Sequence, residues 1–225
     1  MAVCTGHEGD RLQLVSLVGE DESTTLFQDA SLGQLAPTDL GCILVASTGN
    51  RPPRIIEFDF DRQCAGEPVN APGPLIAEGY SQPESLRCQT SGGEDVWGYY
   101  YPPYNPQVIG PSDKAPPLLV MVHGGPTART NRAFHPLRQY FPTLGFAVLD
   151  VNHRGSTGYG RRYRQRLLGG WGDVDAEDII CCVDRLVTDG LADPEAVFIR
   201  GGSAGGYSVL RALTRYPERF AGGAG

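Results

Sequence analysis

The chain has 225 residues and a mass of 24.2 kDa, with 19 Lys+Arg against 26 Asp+Glu, a formal charge of −7. A composition of 40% hydrophobic and 20% charged residues excludes a disordered chain, and a pI near 5.1 with no block of Lys/Arg argues against nucleic acid or an anionic membrane as the main partner. The longest apolar run, Leu118–Val122, falls far short of the roughly 18 residues of a membrane helix, and Met1–Gln13 has no apolar core for a secretory signal, so the cytoplasm is the expected compartment.

Up to about residue 80 the pattern predicts short strands at 12–18, 41–46 and 54–60, each bounded by Gly, Pro, Asn or Asp, with Ile56, Phe58 and Phe60 alternating. Gly66–Pro83, with four prolines, reads as a linker or long loop. A strand is expected at Asp95–Tyr101, then a second Pro-rich loop to Pro117. From there the character changes. Leu118–Val122 is a continuous apolar run of the kind buried on both faces of a parallel sheet, Phe146–Val151 is the next buried strand and Val197–Arg200 a third. Between them lie helical patterns: Phe134, Leu137 and Phe141 first, then Val174 to Val187. The second is capped by Asp173 or Asp175 and stopped at Gly190. A last helix is expected at Tyr207–Tyr216, and the start of another strand in Phe220–Gly225. Strands alternating with helices mean an α/β sheet. The six cysteines show no C-x-x-C and no zinc-type spacing, so they are expected reduced, with no metal or cofactor. The acidic residues Asp173, Asp175, Glu177 and Asp178 read as first-turn carboxylates that offset a helix dipole.

The third buried strand runs directly into Gly201-Gly202-Ser203-Ala204-Gly205-Gly206 and then a helix. This is G-x-S-x-G in the context that gives it chemical meaning: a serine on a tight strand-to-helix turn, its hydroxyl raised above the sheet edge. Flanking glycines admit close backbone neighbours, and the Ala204 amide at the helix start points where a carbonyl oxygen would gather negative charge. His123-Gly124-Gly125-Pro126 follows the first buried strand, where Gly124 and Gly125 can supply a second oxyanion amide. His123 is not expected to be the base, which in this arrangement follows the serine. Asn152 to Gly160 follows the second strand, so all three loops share one sheet edge, where open α/β sheets place their sites. Arg154 is read as orienting the site, pairing with an acid or, equally, serving a structural role. His123, Arg154 and Tyr207 are the expected margin of the site, and His7, His135 and His153 surface or packing residues.

Together, Trp97-Gly98-Tyr99-Tyr100-Tyr101-Pro102-Pro103, His-Gly-Gly-Pro at 123–126, Asn-His-Arg-Gly-Ser-Thr-Gly-Tyr-Gly at 152–160, Trp171-Gly172 and Gly-Gly-Ser-Ala-Gly-Gly-Tyr at 201–207 resemble the prolyl-oligopeptidase-family (S9) serine peptidases. The acylaminoacyl-peptidase and dipeptidyl-peptidase-like branches are the nearest in pattern. The resemblance implies a partial α/β-hydrolase sheet over 81–225, preceded over 1–80 by a β-rich segment resembling the end of a β-propeller. It implies Ser203 as nucleophile, Gly125 and Ala204 as oxyanion amides, and short peptides as substrates, with no nucleic acid or membrane partner. His153 stands where the family has tyrosine.

One departure is larger. After Ser203 the chain holds Glu218 as its single carboxylate and no histidine. The triad order in this fold is Ser, then Asp/Glu, then His. The expectation is therefore a truncated fragment, inactive by itself. A carboxylesterase or lipase shares the elbow and the H-G-G loop, and a non-catalytic remnant acting through its surface is the third reading.

Overall fold

The structure, a computed structural model, describes residues 2–6, 9–15, 23–49, 51–59, 61–62, 64–66 and 79–225. Residues 16–18 and Phe60 at the ends of two expected strands, His7, and most of the expected linker lie outside the described residues. Two units divide the chain: Met1–Glu78 with Asn131–His135, and Gly79–Thr130 with Pro136–Gly225.

The first unit is an antiparallel sheet with its strands in sequence order: β1 (Ala2–Gly6), β2 (Gly9–Val15), β3 (Ser23–Pro37), β4 (Gly41–Thr48), β5 (Arg51–Asp59) and β6 (Cys64–Ala65). Pairing of Cys42 with Phe58 and of Leu44 with Ile56 puts the alternating apolar residues of β4 and β5 on one buried face. Register is fixed because a one-residue slip would turn that face to solvent. β3 escapes the hydrophobic pattern: its 15 residues show no clean alternation, and its register with both neighbours shifts at irregular steps, while Leu32 and Leu35 pack on the core of the unit.

In the second unit β7 (Glu84–Gln89) and β8 (Asp95–Tyr101) form a hairpin, followed by β9 (Leu118–Val122), β10 (Ala147–Asn152), β11 (Val197–Gly201) and β12 (Gly222–Ala224). The sheet order is β12-β11-β9-β10-β8-β7. β9 to β12 are parallel, but β8 runs antiparallel to β10, so the sheet is mixed rather than purely parallel. β7 was not expected, since only Leu86 and Cys88 point inward among charged neighbours, which is how an edge strand reads.

The helices are α1 (Pro136–Thr143), α2 (Gly160–Gln165), α3 (Val174–Thr188) and α4 (Ala204–Arg215). α3 and α4 bury Ile179, Val183, Leu186, Val209 and Ala212 against Leu118, Val120, Leu149 and Ile199. The opposite face carries Tyr99, Tyr101, Leu119 and Val148, with Phe141, Phe146 and Phe198 packed on it. Alternation along β9 thus feeds two cores, and each fully buried Val or Leu contributes about 1.5–3 kcal/mol. The first helix begins later than its apolar spacing predicts. Pro136 fixes the start, the residue before a proline is held out of the helical region, and Phe134 instead donates its amide to Ser47 Oγ (3.0 Å) in the first unit.

The acidic cluster of α3 also differs from expectation. Only Asp173 is an exposed carboxylate of the expected kind, and Arg211 and Arg215 each approach it at 2.6 Å. Asp175 is buried and accepts from the Gly172 amide (2.5 Å) and the Ser208 hydroxyl. Asp178 is buried and accepts from the Arg154 amide (2.6 Å) and Nε (2.8 Å). Burial pushes its carboxyl up, to about 6, while Arg154 pulls it down. Removing one partner of a buried pair leaves the other charge uncompensated. Asp178→Ala is therefore expected to cost about 3–5 kcal/mol. Glu177→Ala, whose carboxylate also meets Arg154 but is 42% exposed, is expected to cost about 1 kcal/mol or less. Thermal melts of the two variants beside the parent check this.

Candidate active site

Three loops leave the same edge of the sheet, because β9, β10 and β11 are parallel neighbours with β9 in the middle. The first carries His123, Gly124 and Gly125, the second Asn152 to Gly160, and the third Gly202 and Ser203.

The third loop is a turn of two residues. Gly201 ends β11, Ala204 begins α4, and Ser203 between them has φ 56° and ψ −126°. Among the described residues it is the single non-glycine with positive φ. Such a conformation costs roughly 1–3 kcal/mol and persists only where surroundings impose it. They do so here. A Cβ on Gly205 would lie 2.4 Å from the Val122 carbonyl oxygen and 2.7 Å from that of His123; one on Gly201 would lie 2.6 Å from the Gly205 oxygen. The first turn of α4 is thus pressed onto the end of β9, and the chain must reverse within one residue. Ser203 emerges exposed, and its hydroxyl makes no capping bond to the helix. The Ala204 amide, at the first helical position, has no acceptor inside the helix.

The first loop adjoins the elbow: a Cβ on Gly124 would lie 3.2 Å from Gly202 O and 3.5 Å from Ser203 Cβ. Gly125 has φ +59°, and neither its amide nor that of Gly124 donates to a backbone carbonyl among the described residues. The His123 ring holds this loop. Its Nδ1 lies 3.0 Å from Gly124 O and its Nε2 2.8 Å from Ser156 Oγ. A carbonyl only accepts, so the proton sits on Nδ1, and Ser156 donates to Nε2. His123 is therefore committed to the loop and not to Ser203. Its ring stacks on that of His153 at 4.7 Å.

The second loop is fastened from below. Tyr163 of α2 donates to Asn152 O (2.6 Å), the Gly155 amide donates to Tyr163 O (3.1 Å), and Arg154 is held by Asp178 and Glu177. Of the roles considered for Arg154, pairing with an acid is the one seen. Tyr207 stands one turn along α4 from Ser203, half-exposed, with its ring 4.8 Å from Trp171. The stacked histidines and the Ser156 bond were not foreseen. Their partners are some 30 residues apart in sequence, and meet because the register pairs Val122 with Val151.

Burial, and then the neighbouring His123, lower the His153 pKa to about 4. The unfolded chain takes up this proton near the ordinary value of about 6.5, and the native state refuses it until about 4. The contribution of His153 is thus full above 6.5 and is lost as pH falls towards 4, a change on the order of 3 kcal/mol. Asp178 titrates in the opposite sense, so the comparison is with His153→Phe. Parent stability is expected to fall relative to the variant between pH 6.5 and 4, read from melts across that range.

Residues 133–225 match the model of the prolyl oligopeptidase family. Dipeptidyl peptidase family member 6 of Caenorhabditis elegans is 43% identical over 106 residues, 47% of this chain and 14% of the relative. Dipeptidyl aminopeptidase BIII of Pseudoxanthomonas mexicana is 40% identical over 114 residues, 51% of this chain and 16% of the relative. The structure of a Mycobacterium tuberculosis puromycin-hydrolyzing peptidase superposes with a TM-score of 0.90 at 34% identity, covering 97% of this chain and 34% of that one. The chain thus spans about a sixth or less of those curated relatives and a third of the solved chain. The stretch 133–225, which carries the elbow at Ser203, is thus similar to the prolyl oligopeptidase family, and the H-G-G loop at 123–126 lies before the matched residues.

Proposed function

We propose that these residues form the nucleophile half of a serine peptidase acting on short peptides or aminoacyl amides. The observation that carries the reading is Ser203: an exposed serine forced to φ 56° at a helix start, beside a glycine loop whose amides donate to no backbone carbonyl among the described residues. Ser203 Oγ attacks the amide carbonyl, forming the acyl-enzyme and expelling the amine; water then releases the acid. Loss of the serine proton needs a base, and no residue within 1–225 is assigned that role. The names of the relatives, a puromycin-hydrolyzing peptidase and a dipeptidyl aminopeptidase among them, support amide substrates with short acyl groups. In this reading residues 1–80 belong to a β-propeller that limits substrate size.

The oxyanion falls to the Ala204 and Gly125 amides. In a trans peptide the C=O and N–H point in opposite directions, and no cis bond occurs among the described residues. His123 draws the Gly124 carbonyl to its ring, so the Gly125 amide of the same peptide faces away from that ring. A Gly-Gly peptide flips easily, and His123 is the positioning residue that holds it in the donating orientation.

Fluorophosphonate labelling with peptide mass mapping, on this chain and on the native protein from its source cells, tests the assignment. The native protein is expected to carry the label on Ser203 and to hydrolyse aminoacyl anilides, with a loss on the order of 10⁶ in Ser203→Ala. The 225 residues alone are expected to give no turnover. Anilide hydrolysis that survives Ser203→Ala would overturn the reading. His123→Phe is expected to lower kcat by about 10² with KM little changed, since the amide it positions acts on the transition state.

A further inference from the structure

The chain's net charge of −7 hides one dense run of positive charge, Arg161-Arg162-Tyr163-Arg164-Gln165-Arg166, which corrects the reading that no basic block is present. Many of the other arginines in the second unit are paired with carboxylates: Arg87 with Asp95, Arg154 with Asp178, Arg185 with Asp189, and Arg211 and Arg215 with Asp173. Arg166 is taken by Glu94. Arg161, Arg162 and Arg164 differ. All three are exposed, and none has an ion-pair partner among the described residues. No acidic residue occurs anywhere from His153 to Gly172.

Their placement is specific. The inner residue of α2, Tyr163, bonds Asn152 O at the end of β10 and receives the Gly155 amide, which fixes the helix above the sheet edge that bears Ser203. β10 is two strands from β11. At a strand spacing near 4.8 Å the two strand ends lie roughly 10 Å apart, the length of about three residues of extended peptide, and the exposed arginines of α2 stand outward of Tyr163. Exposed like charges so close repel one another, and each gains from an anion that bridges them.

We propose that Arg161, Arg162 and Arg164 form a subsite for carboxylates of a peptide substrate, seated three or more residues from the bond that Ser203 attacks. The subsite rests on the reading of Ser203 as nucleophile. It selects peptides with acidic side chains in that stretch, and draws them to an otherwise acidic protein.

The test is equilibrium binding, by fluorescence anisotropy, to the full chain carrying Ser203→Ala so that no peptide is consumed. The probes are three labelled, N-acetylated octapeptides: one with three consecutive Glu and an amidated C-terminus, the same with Gln for Glu, and the Gln peptide with a free C-terminal carboxylate. The Glu peptide is expected to bind roughly tenfold tighter than the amidated Gln peptide at low salt, as three exposed pairs would give. The preference is expected to vanish in R161Q/R162Q/R164Q and at about 0.5 M salt, with the amidated Gln peptide bound equally by parent and variant. Equal binding of Glu and amidated Gln peptides, or a preference that survives the triple substitution, overturns the subsite. Two further results also overturn it: a free C-terminus that matches the Glu peptide, and a single-stranded oligonucleotide of equal charge that binds as tightly. Fluorophosphonate labelling of Ser203 in the parent is read separately, so a serine that fails to label sinks the catalytic reading without altering these binding outcomes.

Discussion

The close approach of α4 to the end of β9 governs the rest of the second unit. Gly205 rests on the carbonyls of Val122 and His123 at distances that admit hydrogen and nothing larger. Because the helix starts in contact with a neighbouring strand, the chain leaving β11 has no room for an ordinary connection. It turns at Ser203, and the left-handed φ is the geometric consequence. Strain at that residue is offset by the packing of Val209 and Ala212 in the core, which holds the helix where it is. The helix N-terminus, with its unsatisfied amide and partial positive charge, is brought in the same step to the sheet edge.

Much of this architecture is legible from residues alone, for identifiable reasons. Leu118–Val122 is an uninterrupted apolar segment and 146–151 is broken only by Asp150, because both faces of β9 and β10 are covered, and α3 shows a clean 3.6-residue period over its 15 residues. The elbow is legible because its glycines are demanded by backbone contacts rather than by side-chain packing. β3, β7 and α2 are not legible. β7 and α2 are short and mostly polar, and β3 mixes polar and apolar residues without a clean alternation, so pattern carries little signal. α4 starts at Ala204, three residues before the helix that the pattern predicts, since Gly205 and Gly206 look like loop until their neighbours are known.

The candidate site divides in the same way. Ser203, Gly124 and Gly125 follow from local motif and strand context. The fastening beneath them does not, because it joins segments that meet only through sheet register: His123 to Ser156, the two imidazoles to each other, Arg154 to Asp178. Two carboxylates that look like ordinary first-turn residues, Asp175 and Asp178, are buried acceptors. Sequence spacing cannot tell a solvated carboxylate from one whose helix face turns inward against a polar loop.

That loop accounts for why so much polarity is buried in one place. Asn152, His153, Arg154 and Ser156 are consecutive or nearly so, and all are less than a tenth exposed. A buried polar group without a partner costs more than its hydrogen bond returns, so such a segment survives only if each group is answered. Asn152 is answered by Thr130 and Tyr159, Ser156 by His123, Arg154 by α3, and His153 by the Arg154 carbonyl. Pairs of this kind add little net stability over an apolar core, but each has essentially one arrangement that satisfies it. Here that arrangement fixes the backbone from 152 to 156, and through Ser156 the His123 ring. The Gly124 carbonyl depends on that ring in turn. A glycine loop that could flip at small cost is thereby given a single orientation by a polar cluster that never touches Ser203.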